Sequence, residues 1–112
     1  MFDAQTDEKL EAAAFRRLML HLRQRQDATN IDLMGLSGFC RNCLSEWLED
    51  AARDQGLDLS RDAARAHVYG EPYEAFRVRQ PKATPEQLAR MDASLAENAR
   101  VRAENPEGLP PA

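Results

Sequence analysis

Two cysteines, two histidines, two lysines and one tryptophan are all that 112 residues supply of four side chains that often carry chemistry or charge. So few cysteines exclude a disulfide scaffold. Aromatic residues make up only 6% of the chain, so a core has to be built mainly from Leu, Ala and Met. Apolar runs are only a few residues long, far short of the roughly 20 that span a bilayer. The opening "MFDAQTDEKLEAAAF" is acidic and lacks the basic region and apolar stretch of a signal peptide. These absences point to a cytoplasmic protein, in which the cysteines are thiols, thiolates or ligands. No stretch alternates with a period of two, which excludes a half-buried sheet. There is no glycine-rich phosphate loop, no His-Glu-x-x-His and no legible nucleophile–base–acid set, so nothing nominates an enzyme. Ser37, Ser45 and Ser60 read as caps or surface residues.

What is present is helical. Leu10, Ala14, Leu18 and Leu22 recur every four residues behind Thr6, predicting a first helix from about Asp7 to Arg25. Asn30 is placed to cap a short helix, "IDLMGL". Ser37 is placed to cap a longer one through Asp54, with Phe39, Cys40, Cys43, Leu44, Trp47, Leu48 and Ala51 on one face. Trp47 is the expected anchor of the core. Ser60 opens another short helix and Pro72 the next, while Tyr69, Tyr73 and Phe76 cluster to close one end of the core or to form an interface. "TPEQ" at 84–87 is a capping box opening a last helix that fades near Glu104. Its stripe of Leu88, Met91 and Leu95 is narrow, suited to loose docking or to a second subunit. The expected architecture is an all-α single domain of five or six helices over residues 7–104, with a disordered tail at 105–112.

Net charge is −4, which disfavours nonspecific nucleic-acid binding. Its distribution is uneven: residues 15–45 carry a net +3 and residues 46–76 a net −5. The plainest reading is two solvated helix faces; the alternatives seat the two halves, or two subunits, against each other. Thirteen of the fifteen basic residues are arginine, the better partner for planar carboxylates. Arg16, Arg23 and Arg41 would be the cations of an anion-binding face. A helix-turn-helix over 31–54 is disfavoured because Glu46, Glu49 and Asp50 would meet phosphates. Asp27, Asn30 and Asp32 read as capping residues before they read as ligands of a hard cation.

"AAAFRRLMLHLRQR", "NIDLMGLSGFCRNCL" and "VYGEPYEAFR" together resemble an uncharacterised family of short, mostly proteobacterial proteins, a domain of unknown function. The resemblance covers about residues 7–79. It implies a small all-helical fold and no activity, so function rests on the residues.

The cysteines carry the sharpest question. With Ser37 as N-cap, Cys40 sits in the first turn and Cys43 one turn on, facing the same way. Three readings follow. Cys40, Cys43, His21 and His67 number the four ligands that zinc takes, although the histidines are far apart in sequence. Alternatively, a helix N-terminus with Arg41 alongside would lower the Cys40 pKa and suit thiol redox chemistry, although that motif usually follows a strand. Thirdly, both cysteines could simply pack as small apolar residues. The leading expectation is a small binding module centred on this helix, with zinc as the metal option. A redox protein acting through Cys40 and a structural adaptor are the alternatives. The partner would be a protein or a second copy, with no role for a membrane.

Overall fold

The computed structural model describes residues 1–106 and, among them, six helices and no strand. They are α1 (Ala4–Gln24), α2 (Asn30–Ser37), α3 (Arg41–Asp54), α4 (Arg61–Tyr69), α5 (Tyr73–Arg77) and α6 (Pro85–Glu104). No helix is long and apolar enough to cross a membrane, among the described residues. Most of the tail expected at 105–112 lies outside them.

Side-chain caps fix the starts of α1, α2, α4 and α6, and three starts in all differ from the sequence reading. The Asp3 carboxylate accepts from the Thr6 N–H at 2.7 Å, so α1 begins three residues before Asp7. Thr29, not Asn30, caps α2 through the Asp32 N–H at 3.3 Å, which leaves the Asn30 amide free for other bonds. Ser37 is not an N-cap at all. It ends α2, its hydroxyl donating back to the Leu33 carbonyl at 2.8 Å. Gly38 then turns left-handed at φ +77°, a conformation cheap only for glycine. A Cβ there would also collide with Asn98 of α6, whose amide donates to the Gly38 carbonyl at 2.8 Å. The chain therefore reverses later than expected, and α3 opens at Arg41 with Cys40 as its N-cap. The capping box of α6 forms as read, Thr84 and Gln87 exchanging bonds of 2.8 and 3.1 Å.

Met19 and Leu22 of α1, Leu44 of α3, Val68 and Tyr69 of α4 and Phe76 of α5 form the buried core. Phe15, Leu18, Leu33, Phe39, Leu48 and Tyr73 pack around it. Burying one such side chain contributes about 1.5–3 kcal/mol. Trp47 is not the core's anchor: it is 45% exposed and stacks on Phe39, with ring centroids 5.9 Å apart. Tyr69 and Phe76 fill the centre edge to face at 4.6 Å.

Two pairings organise the helices: α3 lies against α4, which also touches α1 and α5, and α6 lies against α2. Gly35 lets the last pair close, since a Cβ there would meet the Arg90 stem at 3.1 Å. α6 buries none of its residues, as its narrow stripe implied. Polar ties hold it, including Gln87 Nε2 to Asp32 Oδ1 at 2.9 Å.

Candidate functional site: a thiol pair on a guanidinium clamp

The turn Cys40-Arg41-Asn42-Cys43 joins two features: its middle residues lock it to the body, and its outer residues bring sulfur together. Arg41 is 2% exposed. One guanidinium nitrogen donates to the carbonyls of Leu22 at 2.8 Å and Arg25 at 2.9 Å. The other donates to the Ala28 carbonyl at 2.7 Å and to Asn30 Oδ1 at 3.1 Å. The last carbonyls of a helix have no partner within it and lie at the negative end of its dipole. Arg41 thus closes the end of α1, and its charge also sits 5.4 Å over the Phe76 ring. Burial pulls its pKa below the ordinary arginine value, yet a guanidinium stays charged. No carboxylate pairs with it among the described residues.

Asn42 anchors the same turn on the other side. Its Oδ1 accepts from the Tyr69 hydroxyl at 2.6 Å, and that hydroxyl accepts from Asn30 Nδ2 at 3.0 Å. Burial pushes the Tyr69 pKa up, so the phenol keeps its proton and remains a donor. Arg41, Asn30, Tyr69 and Asn42 form one chain of hydrogen bonds through α2, α3 and α4. Tyr69→Phe removes its middle link and leaves Asn30 Nδ2 and Asn42 Oδ1 partly buried without partners. The expected cost is about 1–3 kcal/mol of unfolding free energy, measured by urea denaturation, with helix content unchanged.

The sulfurs are unequal. Cys40, at the N-cap, is buried at 6% exposure, and Cys43, one turn on, is half-buried. Hydrogen bonding between the two thiols lowers the Cys43 pKa to about 6, with burial and the Glu46 carboxylate acting against it. The same hydrogen bond and burial push the Cys40 pKa up. Both shifts make Cys43 the more acidic of the two thiols. The low-pKa thiol is therefore Cys43 rather than the Cys40 expected from the sequence. Cys43 Sγ also lies 3.8 Å from Met34 Sδ at the end of α2.

Cys43 opens onto a groove of about 930 Å³ between α3 and α6, which Met34, Trp47, Leu95, Asn98 and Arg102 also line. Cys40 lies behind it, outside the lining.

The other candidate residues are elsewhere. His21 is exposed on α1 and His67 is exposed on α4. Among the described residues no three His, Cys, Asp or Glu side chains converge as a metal-holding group. The structure brings Cys40 and Cys43 together and leaves both histidines on outer faces. Arg23 closes the end of α4, donating to the carbonyls of His67 and of Val68, the latter at 3.1 Å. Asp27 pairs with Arg25 at 2.8 Å and Asp32 with Gln87, so Asp27, Asn30 and Asp32 each serve a different partner.

A search of curated proteins finds no match to this chain. One family does match, over more than half the chain, and its span takes in α2 to α5, the whole cysteine turn, Asn30, Met34 and Tyr69. It leaves out α1 and stops inside α6, a different span from the 7–79 of the sequence resemblance. By that match over residues 28–93, the chain belongs to the family described as "Protein of unknown function (DUF1244)".

Proposed function

We propose that the protein is a thiol–disulfide exchange module in which Cys43 attacks and Cys40 resolves. The observation that carries this reading is geometric: two thiols share one helical turn, the outer one facing an open groove and the inner one shielded behind it. Residues three apart at a helix start have separations compatible with a disulfide. Exchange proceeds when a thiolate attacks one sulfur of a disulfide and expels the other as a thiolate. Cys43 would form a mixed disulfide with the substrate, releasing its first thiol. Cys40, losing its proton, would then attack the Cys43 sulfur and release the second thiol. One substrate disulfide is reduced and one Cys40–Cys43 disulfide is formed, so electrons balance. The Arg41 clamp supplies the rigid platform that a preceding strand usually gives such a motif. Trp47 and Leu95 on the groove wall suit an apolar segment beside the substrate cystine.

Trapping tests the order of attack. Cys40→Ser, incubated with a peptide disulfide, should accumulate a mixed disulfide at Cys43, and Cys43→Ser should form none. A mixed disulfide found on Cys40 of the wild type, or exchange by Cys43→Ser at the wild-type rate, contradicts the reading.

A further inference from the structure

We propose that Cys40, Cys43 and Met34 form a three-sulfur site for a soft monovalent cation, and that this cation is copper(I). This goes beyond thiol exchange, since it gives a role to Met34, which exchange does not use.

Met34 stands at the groove because the left-handed turn at Gly38 folds the end of α2 back beside the start of α3. Its Sδ lies 3.8 Å from Cys43 Sγ. Two sulfurs each about 2.3 Å from one metal ion stand about 3.8 Å apart at a tetrahedral angle and about 4.0 Å at a trigonal one. Those two donors are therefore already spaced as ligands. Cys40, the N-cap of α3 and three residues before Cys43 on the same turn, supplies the third sulfur.

The donor set selects the ion. Zinc takes four ligands, mostly nitrogen, thiolate or carboxylate, and the histidines that would complete it are on outer faces. Thiolate and thioether donors are soft and select copper(I). Charge agrees. Binding releases the thiol protons, and two thiolates around a single positive ion leave one net negative charge. Arg41, between the two cysteines in sequence, carries a buried positive charge that makes no ion pair with a carboxylate among the described residues, the Asp27 carboxylate acting on it only through space. The complex and the guanidinium together are neutral.

The test is anaerobic competition between reduced full-length protein and a chromogenic copper(I) chelator. One equivalent of copper(I) should bind, and Cys43→Ser should weaken binding roughly 100-fold, about 2.7 kcal/mol. Met34→Leu, nearly isosteric and expected to keep the fold, should weaken it about tenfold. Three results each overturn the proposal: no copper(I) taken from the chelator, equal affinity in Met34→Leu and wild type, or zinc binding tightly at the cysteines while copper(I) does not. In the wild-type protein, exchange of a peptide disulfide without uptake of copper(I) removes this proposal alone, and uptake of copper(I) without exchange removes only the exchange reading.

Discussion

Arg41→Leu should lower the melting temperature by about 12–24 °C. The substitution keeps an apolar stem but deletes the donors to three carbonyls and one amide oxygen. The Leu22 carbonyl is buried and has no route to water, while the others are partly buried. A buried acceptor left without a partner costs about 1–3 kcal/mol. Relief of the guanidinium's desolvation gives some of this back, leaving a net loss of about 3 kcal/mol. For a domain of this size each kcal/mol shifts the midpoint by about 4–8 °C. Arg41→Lys should also lose stability, because a single ammonium cannot serve acceptors spread across the guanidinium fork. Thermal melts followed by circular dichroism decide the matter. A shift of less than about 3 °C in Arg41→Leu would mean that the clamp does not hold the turn.

The second large effect concerns pH. In the metal-free protein, Cys43 should react with iodoacetamide with a midpoint near pH 6, because its thiolate forms there. The main cause is the Cys40 S–H donor, so Cys40→Ala should move the midpoint upward toward the ordinary thiol value of about 8.5. Cys40→Ser keeps an O–H in the same place and should keep most of the depression. At pH 6 a full shift to 8.5 cuts the thiolate fraction by roughly 150-fold. A more basic thiolate is intrinsically more nucleophilic, which returns about tenfold, so the net slowing is of order tenfold. An unchanged midpoint in Cys40→Ala would show that the inner thiol is not what stabilises the outer thiolate.

Some local features were legible in the sequence. The capping box at Thr84 and the narrow stripe of α6 are such cases, and so is the absence of strands among the described residues. It misread α3 for one reason. The stripe was traced through Phe39, Cys40, Cys43, Leu44, Trp47, Leu48 and Ala51, which leaves Arg41 off the buried face. The buried side of α3 keeps Leu44, with Leu48 half-buried, and adds Arg41, Ser45 and Ala52. Rotating the helix by that step brings the arginine inside, moves Trp47 to the rim and leaves Cys43 at the groove. A spacing rule cannot anticipate this, because the arginine is stabilised by carbonyls at the end of α1, distant in sequence. The missed start of α3 is a related case: Ser37 is a good N-cap by type, but Gly38 is the residue able to reverse the chain. The histidines were misjudged through their spacing from apolar neighbours, which could not fix the direction in which each pointed. Met34 carried no signal, since its contact with Cys43 depends on the turn between α2 and α3.

The order of the two thiols is most directly tested by labelling the folded, reduced protein with one equivalent of iodoacetamide and mapping the modified peptide by mass spectrometry. The label should fall on Cys43, with Cys40 reacting only after unfolding in denaturant. Label on Cys40 first, or equally on both, would contradict the account.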